Sequence, residues 1–258
     1  MGYVFEPKLD GERVMAYVKG GKVELINRNG VNKNSAFPEI VEDLKNFNDC
    51  CLDGEIVAQK DGVSDFFLLS KRSHLVSPSD QIRQEIRVMF KVFDILEMMD
   101  RPVWLKSFKD RRTILENFML TMDTLYPTKW TEIIHQFKSG QEAWDRAESR
   151  EGVIAKRLIE PYHQGQRLNA WLKIKKTSEV MLFAIGFEKT EVDECLILDH
   201  GVRIAVGDLS ERQKIKDYLE AGKRPIIEVE YLGKTPDGKL RMPVYKGIRE
   251  ENIKKEEI

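Results

Sequence analysis

Alternating apolar and polar positions predict strands and short helices in the first third of the chain. Residues 14–18 and 23–26 alternate with a period of two around the Gly-Gly pair at 20–21, a pattern typical of a β-hairpin. Residues 38–44 carry apolar side chains at helical spacing, and their leading proline suits the first turn of a helix. A hairpin followed by a helix is therefore predicted here.

The middle of the chain combines apolar strands with further helices. Alternation at 51–58 places Asp53 and Glu55 on one face of a strand, and 88–96 is the most apolar strand-like run. The predicted strands are 51–58, 88–96, 154–158 and 171–175. The predicted helices are 66–72, which Asp65 would cap, 108–119, and a weaker stretch at 140–150.

The pattern changes after residue 177. Short strand-like runs at 180–186, 195–198, 202–206 and 226–231 surround one helical stretch at 211–219. Several short strands with one helix favour a small β-barrel of the oligonucleotide-binding kind, with a sandwich fragment as the alternative. The predicted fold class is α+β, with one domain at 1–177, built from antiparallel sheets and flanking helices, and a barrel domain at 178–258.

Composition and cysteine content limit the possible partners and the cellular location. Of 258 residues, 42 are Lys or Arg and 43 are Asp or Glu, so the net charge of −1 indicates no global preference for a polyanion. A polyanion is still compatible, because binding depends on where the cations lie. The odd set of Cys50, Cys51 and Cys195 argues against a disulfide framework. Without a transmembrane-length apolar run or a signal-peptide pattern, a reducing, cytoplasmic setting is expected.

Lys8 is the centre of the candidate chemistry. A lysine becomes a nucleophile only when its amine loses the proton, so its site must depress the pKa through desolvation and neighbouring cations. Lys173 and Lys175, on one face of a predicted strand, are candidate cations, although edge strands also favour solvated lysines. Glu55 and Glu151 are carboxylates that would suit a hard divalent metal.

These motifs, in this order, resemble the covalent nucleotidyltransferases, and among them the ATP-dependent DNA ligases. Residues 8–13 read Lys-Leu-Asp-Gly-Glu-Arg and match the Lys-x-Asp-Gly-x-Arg element of that superfamily. Three further stretches resemble the ligases in particular: the Asp-Phe-x-x-Leu-x-x-Arg helix at 65–72, the Arg-Arg-x-x-Leu helix at 108–115, and the closing barrel hairpin at 235–245. The resemblance covers nearly the whole chain and implies an adenylation domain followed by an OB-fold domain.

The resemblance implies a nucleotide site around Lys8. In the family the matching lysine attacks the α-phosphate of ATP and becomes a lysyl-AMP. Lys173 and Lys175 would hold the α-phosphate and neutralise charge in the transition state. The other implied nucleotide contacts are Glu6 at the adenine edge, Phe93 stacked on adenine, Arg13 at the sugar or the DNA end, Glu55 at the ribose or a metal, and Glu151 at a metal. A core aromatic is the alternative interpretation of Phe93.

The two remaining motif arginines would act on sugar and phosphate. Arg28, in an Asn-Arg-Asn-Gly turn, would bind sugar or the nick phosphate, with an ordinary loop arginine as the alternative. Residues 249–252 read Arg-Glu-Glu-Asn where the family has Arg-x-Asp-Lys, so Arg249 is kept and the terminal lysine is absent unless Lys254 or Lys255 substitutes. Since that motif orients the leaving pyrophosphate, self-adenylylation is the step expected to suffer.

The implied reaction is the sealing of nicks between a 5′-phosphate and a 3′-hydroxyl in duplex DNA. It would proceed through lysyl-AMP and DNA-adenylate, with ATP and Mg²⁺ or Mn²⁺, in a monomer that has no membrane partner. Lys8 lies close to the start of the sequence, which favours ATP over NAD and predicts DNA binding by the two domains alone. The alternatives are an RNA ligase, an mRNA capping guanylyltransferase, or a catalytically decayed nucleic-acid-binding relative.

Overall fold

The computed structural model describes residues 2–146, 151–166, 168–191 and 193–255. The chain divides into two units, Met1–Lys175 and Lys176–Ile258, and each has a hydrophobic core of its own. The first unit combines helices with sheets that are mainly antiparallel, and the second consists mainly of strands with one helix packed on them among its described residues. The predicted α+β class is therefore confirmed.

The first unit begins with a strand and alternates between sheets and helices. Its strands are β1 (Tyr3–Pro7), β2 (Glu12–Lys19), β3 (Lys22–Asn27), β4 (Cys50–Lys60), β5 (Val63–Ser64), β6 (Val88–Met98), β7 (Arg101–Pro102), β8 (Thr131–Ile133), β9 (Gly152–Arg157) and β10 (Trp171–Lys175). Its helices are α1 (Pro38–Leu44), α2 (Phe66–Ser73), α3 (Asp80–Glu85), α4 (Phe108–Leu125) and α5 (Gly140–Arg146).

The main sheet of this unit has the strand order β3-β2-β4-β6-β7, with β5 beside β4 and β8 parallel to β6. The β2–β3 turn has positive φ at both Gly20 (53°) and Gly21 (76°), the geometry of a tight hairpin that matches the strand twist. Alternation along β2 sends Val14, Ala16 and Val18 into the core, and so turns Arg13 to the opposite face. That opposite face carries the candidate chemistry.

A second sheet, of order β1-β9-β10, positions the residues around Lys8. Glu6 on β1 and Lys173 on β10 are both paired with Ile154 on the central strand β9. Gly152 permits the close approach of β9 and β10, because a Cβ there would lie 2.0 Å from the Ile174 carbonyl oxygen and its φ is 124°. Strands far apart in the sequence thus meet within one small sheet.

Two buried arginines anchor helices α2 and α4, the helices that resemble the ligase motifs, through hydrogen bonds and ion pairs. Arg72, at the end of α2, donates to the carbonyl oxygens of Ala36 and Ile86 and pairs with Glu39. Arg111 on α4 donates two bonds of 2.8 Å to the carboxylate of Asp94 on β6. Both arginine side chains are fully buried. These guanidinium groups hold the helices to the rest of the unit.

The second unit is built on an antiparallel sheet with a helix. Its elements are β11 (Ser178–Lys189), β12 (Glu194–Leu198), a 3₁₀ turn at Asp199–Gly201, β13 (Arg203–Ile204), α6 (Leu209–Glu220), β14 (Lys223–Tyr231), β15 (Gly233–Lys234), β16 (Leu240–Arg241) and β17 (Val244–Lys255). After the meander β11–β12–β13, β14 returns to pair with β11, and β17 pairs with β14. This is the Greek-key order of an OB-fold rather than of a sandwich fragment.

Several element boundaries differ from the sequence prediction. Helix α4 continues six residues past the predicted end at 119, because buried Met122 extends the apolar stripe of Leu115, Phe118 and Met119 by another turn. Strand β11 runs on past a register shift between Ala184 and Gly186. The predicted helix at 140–150 is described as far as Arg146, and 147–150 lie outside the described residues. Short helix α3 was not predicted.

Candidate active site

Lys8 directly follows β1, and a backbone hydrogen bond fixes its position. Its N–H donates to the Gly152 carbonyl oxygen at 2.9 Å, which places the side chain beside the residue before Gly152. The Lys8 ammonium contacts the carboxylate of Glu151. Gly11, three residues on, allows the chain to pass against β4, because a Cβ there would lie 2.3 Å from the Ile56 carbonyl oxygen. Gly11 and Gly152 therefore allow the backbone segments around Lys8 to approach one another closely.

The surroundings of Lys8 lower its pKa. Burial is the largest cause, followed by the positive charge of Lys173, with a smaller contribution from Lys175. Asp10 and Glu55 oppose this shift through their negative charges. The net direction favours the neutral amine, which is the nucleophilic form. The structure thus brings Lys8 together with Glu55, Glu151, Lys173 and Lys175.

The environment of Glu55 favours the protonated form of its carboxyl group. Glu55 lies on β4 opposite Arg13 of β2, in antiparallel register. Burial, opposed by the charges of Arg13 and Lys8, raises the pKa of Glu55 to about 8. A divalent cation beside this carboxyl group would favour its ionised form, since an opposite charge stabilises the carboxylate. Glu55 is therefore a side chain whose charge state a bound metal would change.

Arg13 belongs to a hydrogen-bonded group on the open face of the main sheet. Its Nε donates to Asp53 Oδ1 at 2.9 Å, and its Nη2 donates to Asp53 Oδ2 at 2.5 Å and to the Tyr162 hydroxyl at 2.9 Å. Tyr162 in turn donates to Asp53 at 2.8 Å. The Arg13 guanidinium lies 5.5 Å from the centroid of the Phe93 ring and 5.7 Å from that of Trp171. The bidentate pair fixes Arg13 next to these aromatic rings.

Phe93 and Trp171 form the aromatic part of the site. Their rings meet edge to face, with centroids 5.7 Å apart. Phe93 shares a small apolar cluster with Leu9, which follows Lys8 in the chain. The structure therefore places the predicted adenine-stacking aromatic in the same apolar cluster as the residue that follows the candidate nucleophile.

A buried ion pair lies beside these rings. Lys156 Nζ is 2.7 Å from Glu6 Oε2, and each side chain is only 1% exposed. Gln136 Nε2 donates to the other Glu6 oxygen at 2.7 Å. Burial lowers the pKa of Lys156, while Glu6 and Asp94 oppose this shift. The predicted base-contacting Glu6 is thus tied to a cation that the sequence reasoning did not single out.

The comparisons with known proteins identify the family. Residues 1–175, more than half of the chain, match a family model described as an ATP dependent DNA ligase domain. The chain belongs to the ATP-dependent DNA ligase family. The resemblance inferred from the motifs is confirmed, and Lys8 lies within the matched residues.

Two curated relatives and one solved structure show how far this likeness extends. DNA ligase 1 of Korarchaeum cryptofilum is 27% identical over 190 residues, which cover 71% of this chain and 35% of that protein. The multifunctional non-homologous end joining protein LigD of Mycobacterium bovis is 28% identical over 293 residues, which cover 96% of this chain and 36% of that protein. The chain spans about a third of the length of these relatives.

The solved structure is a crystal structure of the ligase domain of LigD from M. tuberculosis. It is 24% identical, covers 98% of this chain and 90% of its own chain, and has a TM-score of 0.60. This likeness shows the fold, an adenylation domain followed by an OB-like domain, as the sequence predicted. Within the described part of the chain, no helix is both long and apolar enough to cross a membrane.

Arg28 and Arg249 are the two remaining ligase-motif arginines. Arg28 is exposed in the turn after β3, where the Asn27 side chain accepts from the backbone N–H groups of Asn29 and Val31. Arg249 lies on β17 of the second unit and pairs with Glu228 at 2.6 Å. The side chains at 250–255, including the altered last motif and the substitute lysines Lys254 and Lys255, lie outside the described side chains.

Sequence reasoning missed Asp53, Tyr162, Trp171 and Lys156 as members of the site. Strand alternation had placed Asp53 on the face of Glu55, which was the available signal for it. Lys156 stands at the end of the Glu-Gly-Val-Ile-Ala-Lys stretch at 151–156, where a lysine in an apolar strand was an unused signal. Tyr162 and Trp171 gave no comparable signal, because their contacts depend on the tertiary fold.

Proposed function

We propose that this chain is an ATP-dependent DNA ligase that seals nicks between a 5′-phosphate and a 3′-hydroxyl in duplex DNA. The observation that carries the proposal is the environment of Lys8. Its amine is partly buried, contacts Glu151, and has its pKa lowered by burial and by Lys173 and Lys175. A lysine placed among two other lysines and two carboxylates suits nucleotidyl transfer, which needs positioning and charge stabilisation.

The first step forms a lysyl-AMP. The neutral Lys8 amine attacks the α-phosphorus of ATP, so a nitrogen–phosphorus bond forms. The bond between the α-phosphorus and the oxygen bridging to the β-phosphate breaks, and pyrophosphate leaves with that electron pair. Lys173 and Lys175, exposed on β10, stabilise the negative charge that gathers on the phosphate oxygens. Phe93 stacks on the adenine, and Arg13, held by Asp53, contacts the sugar or the DNA end.

The residues around Lys8 fit a divalent metal such as Mg²⁺ or Mn²⁺. Glu55 and Glu151 offer carboxylate oxygens, the ligands that hard cations prefer. Among the described residues, no group of three or more acidic, histidine or cysteine side chains is arranged to hold a metal alone. Mg²⁺ is commonly bound by one or two carboxylates together with substrate phosphates, so two glutamates suffice. When bound, the cation would supply positive charge to the reacting phosphates.

The remaining steps transfer AMP to DNA and release it. The 5′-phosphate at the nick attacks the phosphorus of lysyl-AMP, which frees the Lys8 nitrogen and leaves a DNA-adenylate. The 3′-hydroxyl then attacks the 5′-phosphorus, and AMP departs. We propose that the OB-like unit and cations such as Arg28 hold the duplex through backbone phosphates. Arg249 orients pyrophosphate in the first step.

The test is nick sealing on a duplex with a labelled 5′-phosphate, compared between wild type and Lys8→Ala. Lys22→Ala is the matched control, because Lys22 is exposed at the start of β3. Sealing and covalent label from ATP are expected in wild type and in the control, and neither in Lys8→Ala. Label from GTP in preference to ATP would instead indicate a guanylyltransferase, and a folded wild type without label would indicate a decayed relative.

A further inference from the structure

Glu12 is a carboxylate at the start of β2 that takes no part in the proposed chemistry. It directly precedes Arg13, and its side chain is only 15% exposed. One of its oxygens, Oε2, is buried without a hydrogen-bond partner among the described residues. A buried acceptor of this kind costs stability. Stability alone therefore does not account for a carboxylate at this position.

The other oxygen of Glu12 holds two side chains of the loop that follows β3. Asn27 Nδ2 donates to Glu12 Oε1 at 2.8 Å, and Lys33 Nζ lies 3.0 Å from the same oxygen. Lys33 Nζ also donates to the carbonyl oxygen of Ser73, the last residue of α2, at 2.9 Å. The loop is therefore joined to β2 through Glu12 and to α2 through Lys33.

Asn27 closes the turn that carries Arg28. Its Oδ1 accepts from the backbone N–H groups of Asn29 at 3.0 Å and Val31 at 2.9 Å. Because both of these partners are donors, the amide must turn its oxygen toward the loop and its nitrogen toward β2. The Glu12 carboxylate accepts from that nitrogen and so stabilises this orientation of the amide.

Arg28 is exposed in this turn, and the proposed function gives it a backbone phosphate of the DNA. An arginine on a flexible turn loses conformational freedom when it binds, so a turn that is already fixed lowers the cost of binding. We propose that Glu12 fixes Arg28 for a phosphate of the nicked strand by orienting Asn27. This inference rests on the proposed function. Glu12 acts through Asn27 and the turn, so it is a positioning residue and not a catalytic one.

An exchange of donor and acceptor tests this link. Asn27→Asp keeps the oxygen that accepts from the turn, but it places a second negative charge against Glu12 in place of the donor amide. The double variant Glu12→Gln/Asn27→Asp restores one donor and one acceptor in reversed order, with the net charge of wild type. Asn32→Asp is the matched control, because Asn32 is exposed in the same loop and its Oδ1 accepts from the Asn34 N–H at 2.9 Å, a bond that aspartate keeps.

The experiment uses protein that already carries AMP and varies the concentration of a nicked duplex with a 5′-phosphate. It measures the maximal sealing rate and the DNA concentration that gives half of that rate. Labelling by ATP without DNA and equilibrium binding of the same duplex are measured separately. Arg28→Ala is included alone and in combination with Asn27→Asp. Tryptophan fluorescence checks that each variant is folded.

Asn27→Asp is expected to raise the half-saturating DNA concentration about tenfold, as for a lost hydrogen bond to a charged group. Asn32→Asp should raise it less than about threefold, since an exposed charge acts weakly. The exchange variant recovers most of the wild-type value. In the Arg28→Ala background Asn27→Asp adds no further loss, because the turn then has no arginine to position. Labelling by ATP without DNA is unchanged in Asn27→Asp and Asn32→Asp.

If Asn27→Asp does not fold, Glu12→Ala takes its place, with the same loss expected when Arg28 is present and none in the Arg28→Ala background. An unchanged half-saturating concentration in the folded variant would overturn this inference and leave the proposed ligase intact. A loss that persists in the exchange variant, or that adds to the loss of Arg28→Ala, would overturn it as well.

Binding of the duplex separates this inference from the proposed chemistry. A wild type that neither takes label from ATP nor binds the nicked duplex would end both proposals. A wild type that binds the duplex without sealing it, with binding weakened by Asn27→Asp and recovered by the exchange variant, would support the inference while the proposed chemistry fails.

Discussion

Replacing Arg111 with methionine should destabilise the first unit severely without acting on DNA directly. Arg111 and Asp94 are both fully buried, and two hydrogen bonds of 2.8 Å join them. Arg111 also donates to the carbonyl oxygens of Lys106 and Glu160, at 2.7 and 3.2 Å. Arg111→Met leaves the Asp94 carboxyl group buried without its cation, and breaking such a pair costs about 3–5 kcal/mol.

The Glu160 carbonyl oxygen adds little to this cost, because the Phe108 N–H still donates to it at 2.8 Å. For a unit of this size, about 3–5 kcal/mol corresponds to a Tm lowered on the order of 10 °C. The four tryptophans, Trp104, Trp130, Trp144 and Trp171, all lie in the first unit. Their fluorescence during thermal unfolding therefore reports this unit and not the OB-like unit.

Arg146→Met is the matched surface control. Its side chain is 72% exposed and pairs with Glu142 one helical turn away, at 3.5 Å, so about 0.5 kcal/mol or less is expected. The double variant Asp94→Leu/Arg111→Met should recover part of the lost stability, since neither charge is then left alone. If Arg111→Met unfolds like wild type but binds nicked DNA more weakly, the arginine is a DNA contact and its structural assignment is contradicted.

Changes to the charges, to the backbone packing and to the salt concentration test the roles assigned to the site. Lys173→Met removes the positive charge that lowers the Lys8 pKa most. The Lys8 pKa therefore rises, and the pH profile of self-adenylylation moves to higher pH. An unshifted profile would contradict the role assigned to Lys173. Gly11→Ala forces a Cβ to 2.3 Å from the Ile56 carbonyl oxygen and should reduce labelling by at least about tenfold. Gly207→Ala is the control and should leave labelling largely intact, because Gly207 is exposed, a Cβ there meets no atom within 4 Å, and its φ is not positive. Binding of nicked duplex should weaken steeply between low and moderate salt, and a flat salt titration would argue against binding through phosphates.

Sequence patterns correctly predicted the elements that depend only on neighbouring residues. The Gly-Gly turn, the proline-led helix α1 and the Asp65 cap of α2 each depend on a few neighbouring residues, and the structure has all of them. The motif resemblance also predicted the residues gathered around Lys8. Lys8 and Glu151 are 143 positions apart, so only recognition of the family, and no local pattern, could join them.

Long-range partners of buried charges could not be read from the sequence. Tyr162 and Asp53 are 109 positions apart, and their contact depends on where the loop after β9 packs on the main sheet. Arg111 looks like an ordinary surface charge in a chain that is 33% charged, yet its side chain is buried. Burial of a charge is decided by strand register and helix packing, which composition and periodicity do not determine.

The central claim is that the Lys8 amine carries AMP. The most direct measurement is peptide mass spectrometry of wild-type protein incubated with ATP and Mg²⁺, with digestion conditions that preserve phosphoramidates. The account predicts an AMP adduct on the peptide containing Lys8, with pyrophosphate released in equal amount. An adduct on Lys173, Lys175 or any other side chain, or no adduct on folded protein, would contradict it.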